Sequence, residues 1–303
     1  MRKKWIRTAT PYLFILPWII GLVVFTLGPL VFSFVMSLYN WSLTGEPNFV
    51  GLGNYIEMFT KDKQFFKSLV ISLKYAAIFV PLNMAIALFL AMLIAQPVKG
   101  TKIFRTIFYI PSVISGVAVS IIWSWILNSD YGILNYLLSL LGIQGPKWLV
   151  DPAYAILAVI IASAFGVGAM MLIFYTDIKG ISSSLYEAAS LDGASSARQF
   201  FSVTLPLITP TLLFNLITSI ISSFQQVTLV MLLTGGGPLK STYFYGLYTY
   251  NNAFKHHKLG YASANAWVMF VIILIMTILV FKSSSSWVFY QSETSKYKRK
   301  RRN

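Results

Sequence analysis

No cysteine occurs among the 303 residues, so disulfides and thiolate metal sites are excluded and the redox compartment leaves no mark on the chain. Charge is scarce: 11% of residues are Asp, Glu, Lys or Arg, and only nine of those are acidic. None of the nine falls inside a long apolar run, whereas carriers driven by proton or sodium gradients usually need a carboxylate near the bilayer midplane. That absence weighs against a secondary transporter. No stretch fits G-x-x-x-x-G-K-[ST]; Gly235-Gly-Gly-Pro-Leu-Lys-Ser241 has the wrong spacing. The chain thus lacks the phosphate-binding loop of P-loop nucleotide hydrolases. The two histidines, His256 and His257, are adjacent, which is not metal-ligand spacing.

What is present is apolar. With 56% hydrophobic residues and a mean hydropathy of +0.69, the chain reads as an integral membrane protein. Six runs reach the ~20 residues that a bilayer crossing needs: about 12–38, 68–95, 103–127, 154–175, 205–233 and 261–281. The first is too long for a signal-peptide core and lacks a small-residue cleavage site. Pro17 and Pro29 are expected to kink it, Pro81 and Pro111 to interrupt the second and third, and Pro97 to close the second. Residues 133–141 are apolar but too few to cross, so they are an interfacial or re-entrant piece.

The net charge of +15 is not a nucleic-acid footprint, because the basic residues cluster beside apolar runs. Sixteen of the 24 Lys and Arg fall on one side: the N-terminus, Lys99, Lys102, Arg105, Lys179, Arg198, Lys282 and the tail from Lys296 to Arg302. Seven fall on the other, and Lys74 lies within the second run. Both termini are therefore expected in the cytoplasm. Residues 1–11 form a cytoplasmic segment, 12–282 a six-helix domain, and 283–303 a basic cytoplasmic tail that also touches anionic lipid.

On the same cytoplasmic side a polar, helix-prone stretch separates the fourth and fifth runs. Leu185–Leu191 suits one short helix, and Gly193 supplies the bend that ends it. Ala197, Phe200 and Phe201 fall at i, i+3 and i+4 on a second helical turn. Pro206 opens the next run where a helix start tolerates a missing N–H. Such a helix-bend-helix knob, within 178–206, suits docking into a groove on another protein. Ser184-x-x-Glu187 also matches a capping box, a local role compatible with docking.

Glu187-Ala-Ala189, then Gly193, then Val203-Thr-Leu-Pro206 resembles the EAA signature of ATP-binding-cassette importer permeases. Val203 replaces the common Ile, and Ser182 stands where relatives often have Pro. The resemblance implies that the first helix is a coupling helix seated in a cleft on a separate ATPase subunit. Tyr186, Glu187, Ala188, Ala189, Asp192, Gly193, Leu205 and Pro206 are then the coupling residues. Thr234-Gly-Gly-Gly-Pro238 with Thr242, Pro111-Ser-Val-Ile-Ser115, Asp130-Tyr-Gly-Ile-Leu-Asn135 and Gly260-Tyr-Ala-Ser-Ala264 resemble sugar-importing members of that family.

The fifth run carries a polar stripe, Asn215, Ser219, Ser222 and Gln226, flanked by Ser223 and Gln225. Helical spacing puts the four on one face, either packing closely against other helices or lining a hydrated cavity. Ser163, Phe165, Gly166 and Gly168 in the fourth run carry the same two readings. A neutral cavity of amides, hydroxyls and aromatic rings suits an uncharged polyhydroxyl solute. Tyr243, Tyr245, Tyr248 and Tyr250 serve as interfacial anchors or as a face for a binding protein.

The expected fold is an all-α membrane bundle of six helices, similar to the type I importer permease core with the MetI-like fold. The expected function is that of a permease subunit carrying a sugar, read as an oligosaccharide, across a bacterial plasma membrane. The resemblance implies a second homologous permease, an ATPase pair that binds the ATP, and an extracytoplasmic solute-binding protein, with no cofactor or metal of the chain's own. A glycerol-phosphate or polyol permease of the same architecture is the alternative, and a non-transporting scaffold or channel the third reading.

Overall fold

A computed structural model describes residues 2–42, 45–96 and 99–289, with side chains from Tyr12 onward. Pro97 and the basic residues from Lys296 lie outside the described residues. In chain order the helices are α1 (Arg2–Gly21), α2 (Gly28–Ser37), α3 (Gly53–Thr60), α4 (Lys63–Ala95), α5 (Thr101–Val113), α6 (Gly116–Ile126), α7 (Ile133–Leu140) and α8 (Pro152–Ala164). They continue with α9 (Gly168–Gly180), α10 (Ser183–Leu191), α11 (Ser196–Gln199), α12 (Leu205–Leu207), α13 (Thr209–Phe224), α14 (Thr228–Leu233), α15 (Tyr245–Tyr250) and α16 (Leu259–Ser284). Two strands of two residues, β1 (Tyr39–Asn40) and β2 (Asn48–Phe49), form an antiparallel pair.

Helix is what these apolar runs must form, since lipid offers no partner for backbone N–H and C=O groups. Three helices are long and apolar enough to cross a membrane: Tyr12–Ser37, Lys63–Ala95 and Leu259–Ser284. The other expected spans are bent pairs: α5 with α6 at 101°, α8 with α9 at 51°, and Ser196–Leu207 with α13 at 67°. Six is therefore the count when each bent pair is one span. The prolines act differently from expectation. α1 runs unbroken through Pro17, and α4 through Pro81. The first span is irregular just before Pro29, where Leu22–Leu27 is a π-helix and the Gly28 N–H donates to the Val23 carbonyl. Pro29 has no N–H to return to the carbonyl four residues back, so the ladder widens there.

The chain forms two compact units. One gathers the chain up to Phe65 with Tyr248–Val271; the other gathers Phe66–Leu247 with the chain from Ile272 on. In the first, Asn54 donates to the carbonyls of Ser37 and Tyr39, tying α3 to the end of α2. A Cβ on Gly260 would lie 1.9 Å from the Tyr39 carbonyl oxygen, so only glycine permits that approach. Asp62 caps α4 by accepting from the N–H groups of Gln64 and Phe65, and it also accepts from the hydroxyls of Tyr248 and Tyr261. Burial works to raise the Asp62 carboxyl, but these four hydrogen bonds outweigh it and hold it below the usual carboxylate range. Burial, and then the adjacent carboxylate, push the Tyr248 hydroxyl far upward. A depressed carboxyl stabilises the fold above its unfolded value of about 4, and that contribution is lost as pH falls through the folded value. Asp62→Asn should therefore lower the thermal unfolding midpoint at neutral pH. The gap to wild type should close below about pH 4; a gap that stays constant with pH would count against this role.

The second unit has separate apolar clusters. Ile71, Tyr75 and Phe79 of α4 pack with Val159 and Ile160 of α8, Leu229 and Val230 of α14, and Phe244. Lower on α4, Ala87, Ala91 and Ile94 pack with Val167, Met171 and Phe174, joined by Phe108 of α5. Beyond α6, the segment expected to be interfacial or re-entrant is the surface helix α7. Leu134 and Leu138 pack toward Leu127 and Trp148, leaving Leu137, Leu140 and Leu141 exposed. Asn135 organises this loop, donating to the carbonyls of Ser129 and Pro146 and accepting from the Trp148 indole. At the far end of the unit, Thr209 donates to the Pro206 carbonyl at 2.6 Å and accepts from the N–H of Phe289 at 2.9 Å.

Candidate coupling knob and solute path

The knob is a short helix closed by a left-handed glycine. α10 begins at Ser183, with Ser182 at the N-cap position and no side-chain cap. The capping box expected from Ser184 and Glu187 is therefore not made. The helix starts early enough to put Ser184 inside its first turn, where the hydroxyl bonds Ser182 instead. At the other end Gly193 has φ +73°, its N–H donates to the Ser190 carbonyl, and the Ala194 N–H donates to the Ala189 carbonyl. This pair of bonds is a Schellman closure, which satisfies carbonyls that the helix end would leave orphaned. Gln199 reaches back to Ser190 Oγ and the Ala194 carbonyl, and Tyr186 bonds Thr204 at 2.9 Å. The two arms are thus fastened together.

Glu187, Ala188, Asp192 and Gly193 are exposed, while Tyr186 and Ala189 are half-buried. Leu205 and Pro206 are half-buried in α12, which follows a π-helical stretch, Phe200–Thr204. The sequence reading passed over Leu191, which is 90% exposed at the tip of the knob. An apolar residue in an otherwise polar loop was the available signal. A cavity of about 770 Å³ opens beside the knob, with Met92, Ile178, Tyr186, Phe200 and Thr204 among its walls.

The polar stripe of the fifth span divides between two faces. Asn215, Ser219 and Ser223 recur every fourth residue and are 2%, 4% and 2% exposed. Asn215 donates to the Thr211 carbonyl and Ser223 to that of Ile220. Thr218, Ser222 and Gln225 are exposed on the adjoining face. Ser222 donates to the carbonyls of Thr218 and Ser219. α13 stops at Phe224, so Gln226 lies beyond it, out of phase with the stripe. There the side chain hydrogen-bonds the hydroxyl of Tyr75, which in turn donates to Ser163 Oγ at 2.9 Å. Ser163 lies in the last turn of α8, next to the turn containing exposed Phe165 and Gly166, and Phe165 meets Trp123 edge-on at 5.7 Å. Ser163, Phe165 and Gln226 are thereby brought together around Tyr75 and Trp123, neither of which sequence reasoning selected. Both sit in apolar runs, where an aromatic ring carries no signal of its own.

This arrangement supplies amides, hydroxyls and rings, and no charged group. The described residues contain no cluster of His, Asp and Glu suited to a metal ion.

The chain is similar over nearly its whole length to known membrane proteins. It is 43% identical over 286 residues to the probable ABC transporter permease protein YesP of Bacillus subtilis, covering 93% of this chain and 92% of that one. It is 32% identical over 283 residues to the trehalose/maltose transport system permease protein MalF of Thermococcus litoralis, covering 93% and 95%. A crystal structure of a bacterial alginate ABC transporter, in complex with an alginate pentasaccharide-bound periplasmic protein, shares the fold. Its TM-score is 0.80 at 22% identity, over 93% of this chain and 96% of that chain. The sequence profile described as "binding-protein-dependent transport system inner membrane component" matches residues 83–288, a stretch that includes the knob and both groups of candidate path residues. With a family match of that extent on a bundle of bent membrane helices, the chain belongs to the inner membrane components of binding-protein-dependent transport systems, the permeases of ABC transporters.

Proposed function

We propose that the chain is one permease subunit of an ATP-driven importer of a neutral sugar, an oligosaccharide by preference. The observation that carries this reading is the likeness over nearly its full length to a permease named for trehalose and maltose. The uncharged character of the Tyr75–Ser163–Gln226 region supports it, since rings stack on sugar faces and amides bond hydroxyls. Residues 12–282 act as one permease domain, with both termini and the knob in the cytoplasm. The knob docks on an ATPase subunit through Glu187, Ala188, Ala189 and the exposed Leu191. A homologous permease completes the cavity, and a solute-binding protein delivers the sugar from outside.

Proteoliposome uptake tests the assignment. Uptake should require this chain, the partner permease, the ATPase, the binding protein and ATP, and should fall to background when the partner permease is omitted. Accumulation of sugar by the chain alone would overturn the reading. Transport of glycerol phosphate in preference to neutral oligosaccharides would replace the substrate class.

The solute path is tested by cysteine accessibility, with no native cysteine to interfere. Cysteines replacing Ser222, Gln226, Phe165 or Gly166 should react with a small hydrophilic thiol reagent in the assembled importer, and transported sugar should slow that reaction. Cysteines at buried Asn215 and Ser219 should react at least ~10-fold more slowly, a factor worth about 1.4 kcal/mol of opening. Equal rates at all positions would remove the distinction between the two faces.

A further inference from the structure

Within the second unit the bent spans build two stacked layers. α6, α8 and α14 pack against one another, and α9 packs against α5 and α13. The second layer is the one continuous with the knob. Each layer has its own apolar cluster: Val159, Ile160, Leu229 and Val230 in the far layer, Val167, Met171 and Phe174 in the knob-side layer. Three helix interruptions separate them, at Ile114–Ser115, Phe165–Val167 and Gln225–Val227. They lie close together. A Cβ on Gly116 would sit 3.8 Å from Thr228 Cγ2, and the Tyr75 hydroxyl meets both Ser163 and Gln226.

α4 runs through both layers. Its Ile71, Tyr75 and Phe79 belong to the far cluster and its Ala87, Ala91 and Ile94 to the knob-side cluster. Pro81 falls between the two groups, at the point where a helix lacks one ladder bond and bends most readily. The Trp123 indole N–H at this level is buried with no acceptor among the described residues.

We propose that this seam is a hinge inside the subunit: the knob-side layer shifts against the far layer when the knob is moved, and the Tyr75 hydroxyl latches the arrangement seen here. Packed layers with separate cores shear as bodies, because close-packed interiors are bistable rather than continuously deformable. The ring of Tyr75 is fixed independently of its hydroxyl, stacked on Phe79 at 5.0 Å and against Phe244 at 4.7 Å. Tyr75→Phe therefore removes the latch and keeps the packing. The proposal rests on the reading that an ATPase drives the knob, but it needs no statement about which solute crosses.

The test is distance measurement by spin labels in the importer assembled with its ATPase and partner permease. One pair of cysteines replaces Ile121 on α6 and Phe214 on α13, both exposed and in different layers. A control pair replaces Ile121 and Leu232, both in the far layer. Between the nucleotide-free and vanadate-trapped states the first pair should shift by about 5 Å, on the order of one helical turn, while the control pair stays constant. Tyr75→Phe and Ser163→Ala should each populate the second distance without nucleotide. An unchanged first pair, or an equal shift in the control pair, overturns the hinge. Unaltered distributions in both variants overturn the latch. Uptake of an unexpected solute would change the proposed substrate and leave these distances untouched.

Discussion

Gly193→Pro is expected to reduce uptake to background while leaving the chain inserted and paired with its partner permease. The backbone there has φ +73°, and its N–H closes the end of α10 onto the Ser190 carbonyl. Proline is held near −65° and has no N–H, so both the bend and the bond are lost. The two arms of the knob can then no longer meet through Gln199, and the exposed face of α10 is re-aimed. Gly193→Ala separates geometry from bulk. Nothing lies within 4 Å of the added Cβ, so the cost is the left-handed conformation alone, about 1–2 kcal/mol. Partial activity is expected from that variant. The measurements are ATPase co-purification and uptake in the same preparation. Wild-type values of both for Gly193→Pro would sink the docking assignment.

Gly168→Ala is expected to damage the fold rather than the coupling. Gly168 opens α9, and a Cβ there would lie 2.1 Å from the Phe108 carbonyl oxygen and 2.8 Å from the Tyr109 Cα. Both obstacles are backbone, so no side chain can swing aside, and α5 must separate from α9. Overpacking of that kind costs about 3 kcal/mol, and here it opens the cluster of Phe108, Val167, Met171 and Phe174. A clear drop in the unfolding midpoint of the purified chain should accompany poor assembly. Gly180→Ala, with nothing within 4 Å of its Cβ, is the matched control and should unfold like wild type.

Length and hydropathy made the six spans legible, because a run of twenty apolar residues has few alternatives in a bilayer. The knob was equally readable, since polar residues between two such runs must leave the membrane. The bends were not. Ser115-Gly116 and Phe165-Gly166-Val167 lie inside apolar runs, and in lipid a lone glycine or serine is as often a packing residue as a break. Proline was the louder signal and the poorer guide: Pro17 and Pro81 pass through continuous helix, α5 runs through Pro111 and breaks three residues later at Ile114–Ser115, and the fourth span breaks where there is no proline. For the fifth span, a strict 3.6-residue period carried past Phe224 placed Gln226 on a face that the helix never reaches. Only the fold could bring it to Tyr75, more than a hundred residues away.

Phe289 follows Thr209 by 80 residues, yet its N–H holds the hydroxyl at the start of α13. During synthesis that partner does not exist when the fifth span enters the membrane. At about 5–20 residues per second, the intervening chain takes roughly 4–16 s to make. The bend between α12 and α13 must therefore wait several seconds for its last fastening. A polypeptide cut before Phe289 would keep every crossing segment and the Thr209–Pro206 bond but lose this second tie across the bend.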